Sequence, residues 1–273
     1  MSAPAIVSRA LARSGLIPLD AKVLLGHVLG RDRAWLAAHG DATLTREQLA
    51  AFESLTRRRH GGEPIAYLTG RREFFGLEIE ITREVLIPRP ETELLVDHAL
   101  AVIPAGAAVD VLDLGCGSGA VALAIAHKRP QARVLGTDLA PQAVELARRN
   151  AQRLGIANAT FLVADWFEAV PRQSFGLIVA NPPYVAEADP HLEQGDLRFE
   201  PPLALTPGAD ALSAIRTIVA AAPAYLAPGA ALALEHGHDQ AAAVHALLGA
   251  AGFIEVRSVR DLAGILRVTH GRM

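Results

Sequence analysis

The chain has 273 residues, of which 51% are hydrophobic and 20% charged. That composition is ordinary for a folded protein and excludes wholesale disorder. Its 26 Lys and Arg against 29 Asp and Glu leave a net charge of −3, too few cations to wrap nucleic acid. One cysteine excludes an intrachain disulfide framework and a cysteine-based zinc site.

The length suits one full-sized domain and a small one. No run approaches the ~18 apolar residues of a membrane span. Met1–Ser14 lacks the basic-then-apolar pattern of a secretory leader. Both features point to the cytoplasm.

In chain order, the first third reads as helical. Ile6, Ala10, Leu11 and Ser14 share a helix face, with Gly15 as a stop. A second helix is expected over Leu19–Leu29, ended by Gly30, and a third over Thr45–Arg59 with Thr45 as N-cap. Gly61-Gly62-Glu63-Pro64 breaks the pattern. Up to Gly70 there are 9 basic and 6 acidic residues, against 17 and 23 in the remainder. This contrast supports a small helical domain over 1–70.

The segment 71–90 reads as a β-hairpin linker. Phe74–Ile81 alternates like a strand, Ile81–Ile87 can return as its partner, and Pro88-Arg89-Pro90 ends the pairing.

From 91 to 273 strands and helices alternate. The expected strands are Val109–Leu114, Ala132–Asp138, Ala159–Asp165, Phe175–Asn181 and Ala230–Glu235, with Phe253–Val259 and Leu266–His270 at the tail. Helices are expected over Thr92–Val102, Gln142–Leu154 and Ala211–Leu226. The pattern predicts an α/β fold with a doubly wound, mostly parallel sheet covered by helices on both faces.

The first chemical motif is Asp113-Leu114-Gly115-Cys116-Gly117-Ser118-Gly119, between a strand and an apolar helix. Glycines let the backbone turn sharply beside a ligand, and the helix N-terminus offers N–H groups to an anion. Asp138 ends the second strand, where a carboxylate can accept from both hydroxyls of a ribose. Asp165-Trp166 ends the third, pairing an acceptor for an exocyclic amine with a flat indole for a purine. Each acid alone could be a helix cap. Acids at three successive strand ends beside a glycine loop point instead to a nucleotide-like ligand. The spacing G-x-G-x-G departs from the dinucleotide fingerprint, and no P-loop is present. The remaining ligand with a ribose, an adenine and a short anionic end is S-adenosylmethionine.

The fourth strand runs into Asn181-Pro182-Pro183-Tyr184. An amide or aromatic amine is a poor nucleophile because its lone pair is delocalised. A site that accepts both its N–H hydrogens and aims the nitrogen favours the rehybridised transition state. The Asn181 side-chain oxygen and the Pro182 carbonyl are the candidate acceptors. Pro182 and Pro183 stiffen the loop, and Tyr184 can stack on a planar acceptor.

These residues resemble a class I S-adenosylmethionine-dependent methyltransferase. More narrowly, the chain resembles the release factor glutamine methyltransferases, the PrmC/HemK family. The resemblance rests on Glu73–Leu77, Leu86–Glu93 (Leu-Ile-Pro-Arg-Pro-Glu-Thr-Glu), Asp113–Gly119, Asn181–Tyr184 and Pro201–Leu205, and spans nearly the whole chain. The Asn-Pro-Pro-Tyr motif alone is shared with methylases of nucleic-acid bases; the Ile-Pro-Arg-Pro-Glu-Thr-Glu segment is far more specific.

The resemblance implies a Rossmann-like seven-stranded catalytic domain. It implies that Gly115, Cys116, Gly117, Ser118 and Gly119 enclose the methionine part of the cofactor. Asp138 would hold the ribose, and Asp165 and Trp166 the adenine. Arg89, Pro90, Glu91 and Thr92 would close over the cofactor from the linker side. Asn181 would serve cofactor and substrate, and Pro182, Pro183 and Tyr184 the acceptor amide. The substrate implied is the glutamine of the Gly-Gly-Gln motif in class 1 peptide chain release factors, which the helical domain would help recognise. The tail Asp261–Arg267 fits the family except at Ile265-Leu266, where a more polar residue is expected.

Rival readings are glutamine methylation of a ribosomal protein, methylation of a nucleic-acid base, and a non-enzymatic cofactor-binding module. Pro90-Glu91-Thr92 weighs against the first and the net charge against the second. The intact acceptor tetrapeptide weighs against the third. Arg57-Arg58-Arg59-His60 reads as a solvated helix end, and Glu235-His236-Gly237-His238 as incidental rather than a metal site.

Overall fold

A computed structural model describes residues 5–273. The chain forms two compact units that divide between Arg71 and Arg72.

The first unit is helical: α1 (Val7–Arg13), α2 (Pro18–Leu29), α3 (Arg33–Ala38), α4 (Arg46–His60) and α5 (Ile65–Thr69). Its core gathers Val7, Leu24, Leu25, Leu36, Leu44, Phe52 and Leu68. Local chemistry sets the boundaries. Pro18 starts α2 and Gly30 ends it in the left-handed conformation. Thr45 and Gln48 form a reciprocal capping box at α4. The Gly61–Pro64 break is followed by α5, which the sequence reading left out, as it did α3. Both are short, and packing against α2 supports them, with Asp32 capping α3 and Gly70 ending α5. In the basic run at the end of α4, Arg57, Arg58 and His60 are exposed and Arg59 is half-buried, as a solvated helix end requires, yet three of the four are held by partners. Arg58 pairs with Glu63 at 2.6 Å, Arg59 with Asp20 at 2.7 Å, and His60 Nε2 donates to the Ser14 carbonyl at 2.8 Å.

The hairpin is tighter than the sequence suggested. β1 (Arg71–Phe74) pairs with β2 (Leu77–Glu80). Phe75 and Gly76 have φ of 51° and 80°, so the chain reverses there in a two-residue turn instead of running straight to Ile81. The expected return strand Ile81–Ile87 is an irregular segment.

The rest of the second unit comprises α6 (Glu93–Val102), β3 (Asp110–Leu114), α7 (Ala120–Lys128), β4 (Arg133–Asp138), α8 (Pro141–Leu154), β5 (Ala159–Val163) and β6 (Phe175–Ala180). α9 (Pro202–Leu205), α10 (Ser213–Ala221), β7 (Leu226–Glu235), α11 (Ala241–Ala250), β8 (Ile254–Arg260) and β9 (Leu266–Arg272) follow. The expected helix Ala211–Leu226 is shorter because Pro223 cannot continue it and tightens the chain into a 3₁₀ turn.

The seven-stranded sheet has the order β5-β4-β3-β6-β7-β9-β8. β3 to β7 are parallel, and β9 and β8 add antiparallel at one edge. The central strands are apolar on both faces because helices cover both. Leu112, Leu114, Phe175, Ile178, Leu232 and Leu234 pack with Ile215, Ile218, Val244 and Leu248 from α10 and α11. From β3 the chain steps to β4 on one side and later to β6 on the other. This reversal opens a crevice at the carboxyl ends of the strands, where ligands bind in such sheets. Among the described residues no helix is long and apolar enough to cross a membrane.

Candidate active site

A cavity of about 660 Å³ occupies that crevice. Gly115, Cys116, Gly117, Ser118, Asp138, Asp165, Trp166, Thr92, Asn181 and Pro183 all line it. The sequence reading therefore finds most of its residues on one wall system.

The glycine loop is built by its surroundings. Gly115, Gly117 and Gly119 all have positive φ. A Cβ on Gly117 would meet nothing within 4 Å, so the backbone there is open to a ligand. Gly119 does not line the cavity; a Cβ there would lie 3.0 Å from Ala147 and 3.2 Å from Phe161. Its role is close packing at the start of α7. A glycine cannot cap a helix with a side chain, and Asp113 does this from β3. Asp113 Oδ2 accepts the Ala122 N–H at 3.0 Å. Burial pushes the Asp113 carboxyl up to about 8, against that hydrogen bond and with repulsion from Asp138 adding to the rise. The Cys116 thiol is also raised by burial, which removes it as a nucleophile. The Cys116 N–H donates to the Thr137 carbonyl at 2.8 Å and anchors the loop to β4.

Asn150, fully buried on α8, holds the loop from the other side. Its Nδ2 donates to the carbonyls of Ser118 and Glu80, each at 3.0 Å, and its Oδ1 accepts the Glu80 N–H at 2.8 Å. The sequence offered no signal for it, because a polar residue on a helix reads as solvent-facing.

Asp138 accepts N–H groups from Gly117 and Ala140, both at 2.9 Å. Burial raises its pKa and these bonds oppose the rise. Each carboxylate oxygen keeps a further lone pair for a hydroxyl donor. β5 ends at Val163, so Asp165 and Trp166 lie just beyond it. Trp166 has a φ of 46°, left-handed for a bulky residue, and Gly115 would place a Cβ 3.7 Å from its ring. Leu139 and Leu203, 49% and 59% exposed, stand at the cavity mouth. Diol acceptors, an indole, an open glycine backbone and apolar rims fit S-adenosylmethionine, and the volume is within the usual range for such ligands.

Arg89, Pro90 and Glu91 do not line the cavity; Thr92 does. The Arg89 guanidinium is turned to Glu200, whose side chain is fully buried and also accepts the Ile87 N–H at 3.4 Å. This pair clamps the segment before α6 to the segment before α9. Burial raises the Glu200 pKa and Arg89 opposes it.

At the acceptor loop, Asn181 Nδ2 donates to Thr92 Oγ1 at 3.2 Å, and Tyr184 Oη donates to Glu235 Oε1 at 3.1 Å. Pro182 is buried, and neither it nor Tyr184 lines the cavity. Gln240 Nε2 donates to the Tyr184 carbonyl at 2.9 Å. The sequence marks Glu235 only as a discounted metal ligand and gives no sign of Gln240 or Glu200; all three lie far along the chain from what they hold. His236 is spent within the fold, on the Gly237 carbonyl at 2.9 Å and Thr269 Oγ1 at 2.8 Å.

Residues 6–70 match the PrmC N-terminal domain family, and residues 90–195 match the Methyltransferase small domain family. The chain is 54% identical to the release factor glutamine methyltransferase of Burkholderia pseudomallei, over 99% of this chain and 97% of that protein. It is 47% identical to the release factor glutamine methyltransferase of Escherichia coli, over 93% of this chain and 91% of that one. A 16S rRNA N2 G1207 methyltransferase of Thermus thermophilus, solved with AdoMet and guanosine, shares the fold. Its TM-score is 0.54 at 21% identity, covering 74% of this chain and 49% of that one. With identity this high over nearly its full length, the chain belongs to the release factor glutamine methyltransferase family.

Proposed function

We propose that this enzyme methylates the side-chain amide nitrogen of the glutamine in the Gly-Gly-Gln motif of class 1 peptide chain release factors. S-adenosylmethionine is the cofactor, and when bound it supplies an electrophilic methyl group. The observation that carries the reading is the acceptor loop at the cavity wall, with the Asn181 amide nitrogen bonded to Thr92. Its Oδ1 is then available to accept one N–H of a planar amide, which fixes the nitrogen and draws its lone pair out of resonance. Pro182, the other expected acceptor, is buried and outside the cavity lining. The amide nitrogen takes the methyl group as the methyl–sulfur bond breaks, with that electron pair going to sulfur, and then passes a proton to water, since an N-protonated amide is strongly acidic. Asp138 holds the ribose hydroxyls, and Asp165 and Trp166 the adenine. Gly115–Ser118 leave room for the amino-acid end.

The domain over 1–70 serves substrate recognition and 71–90 links it to the catalytic domain. The work belongs in the cytoplasm, on a protein substrate without stable nucleic-acid or membrane partners. The near-neutral charge supports the preference for protein.

The test is incubation with methyl-labelled cofactor and, separately, purified release factor, ribosomal protein and DNA. Label should appear on the release factor, and peptide mass spectrometry should place it on the Gly-Gly-Gln glutamine. Label on DNA or ribosomal protein alone would overturn the reading.

A further inference from the structure

Two stretches outside the strands of the large sheet wall the cavity. Val85, Leu86 and Pro88 come from the irregular segment after β2, and Pro201, Leu203 and Ala204 from α9 and its start. Neither stretch has a ladder to hold it. α9 has four residues and no side-chain cap, too little to stand as a helix by itself.

The prolines sharpen the need for a cross-link. Arg89 lies between Pro88 and Pro90, and Glu200 is followed by Pro201 and Pro202. A proline has no N–H, so these four positions cannot donate to a neighbouring backbone. Side chains make the join instead. Arg89 Nη2 donates to Glu200 Oε1, and the Ile87 N–H donates to Glu200 Oε2 at 3.4 Å. One carboxylate thus holds the residues on either side of Pro88, and its own neighbour is Pro201. The Glu200 side chain is fully buried, and that of Arg89 is 29% exposed. An apolar pair of the same volume often stabilises a fold as well or better. What an ion pair adds is direction, because it fixes which two backbones meet.

The far end of the second stretch is fastened as well. The Val185 N–H donates to the Leu205 carbonyl and the Glu187 N–H to the Gly208 carbonyl, both at 3.0 Å. Leu203, 59% exposed at the cavity mouth, lies between the two anchors.

We propose that Arg89 and Glu200 are a positioning pair for the cofactor: joined, they hold Pro88 and Pro201 as walls of one cavity at the spacing S-adenosylmethionine needs. This goes beyond the amide-transfer reading and rests only on the cavity being the cofactor's. Neither side chain lines the cavity, so their effect passes through the walls they join.

The test compares wild type with Arg89→Met, Arg89→Lys and the double variant Arg89→Met with Glu200→Gln. S-adenosylmethionine affinity is read by calorimetry and the urea midpoint by unfolding. Arg89→Met leaves a buried carboxylate without its cation, so the midpoint should drop and the affinity fall roughly tenfold. The double variant removes both charges while Gln still accepts from Ile87, so most of the midpoint should return. Its affinity should stay roughly tenfold low, because the cross-link is still missing. Arg89→Lys, which keeps a charged donor, should bind within about threefold of wild type. On release factor, the loss should fall on KM for the cofactor more than on turnover at saturation. Wild-type affinity in either Met variant, or affinity that merely follows the midpoint across the three variants, would overturn the proposal. If Arg89→Met does not fold, the double variant decides it. A wild type that binds no S-adenosylmethionine is a different outcome: it removes the cofactor reading of the cavity itself, before any variant is compared.

Discussion

At the residue scale, Asp138 and Asn181 separate two jobs within one cavity. Asp138, proposed to hold the ribose, carries a carboxylate whose remaining lone pairs suit hydroxyl donors. Charge-assisted bonds of this kind are worth about 1.5–3 kcal/mol each. Asp138→Ala should therefore weaken cofactor binding roughly ten- to hundredfold by calorimetry, with turnover at saturation changed less. Unchanged affinity would remove it from the ribose site. Asn181→Ala should do the reverse, keeping measurable cofactor binding and losing roughly 10²–10³ in turnover. Near-normal turnover would remove Asn181 from the acceptor site. Gly115–Ser118, Asn181 and Pro183, which reach the cavity wall, were legible as candidates because their signal is local. Gly115–Gly119 and Asn181–Tyr184 are consecutive, and their residue types announce a turn and a pair of acceptors. Glu235 and Tyr184 are 51 positions apart, and nothing in either neighbourhood names the other.

At the element scale, the site depends on side chains that join elements rather than touch ligand. Asn150 binds α8 to the glycine loop and to the end of β2, across 32 and 70 positions. Asn150→Ala would leave one buried carbonyl, at Ser118, and two half-buried groups of Glu80 without their partner, and should cost about 1–3 kcal/mol in urea unfolding, with weaker cofactor binding as Ser118 loosens. A loss under about 1 kcal/mol would mean that the loop holds its shape without the amide. The parallel strands were readable as apolar runs ending in acids. The hairpin was misread because alternation continues through Phe75-Gly76, and only their positive φ reveals the reversal. α3 and α5 escaped because six and five residues carry too little periodicity to register.

At the scale of the whole molecule, two buried carboxyls tie stability to pH. Asp113 titrates at about 8 and Glu235 at about 7, against ordinary values of 3.8 and 4.5. A carboxyl whose pKa is raised on folding binds its proton more tightly in the native state. Its contribution is complete below the unfolded value and is lost as pH rises through the folded one. Stability should therefore fall between about pH 5 and pH 8, read as a lower urea midpoint at the higher pH. Asp113→Asn, which keeps an acceptor for Ala122, should flatten that slope. An unchanged slope would mean that Asp113 is charged in the folded protein.

The order of strands in the sheet has a consequence for biosynthesis. β7 carries Glu235 but pairs with β9, not with β8, and Glu235 sits opposite Val268. The ribosome makes that partner about 33 residues after Glu235 itself. At roughly 5–20 residues per second, the delay is about 2–7 s. Until then the edge of β7 is bare and the carboxylate beneath the acceptor loop has no wall on that side. The parallel half of the sheet, with its glycine loop and acids, can assemble earlier. The glycine loop and the acids at the strand ends are thus made before the strand that covers the edge beside Glu235.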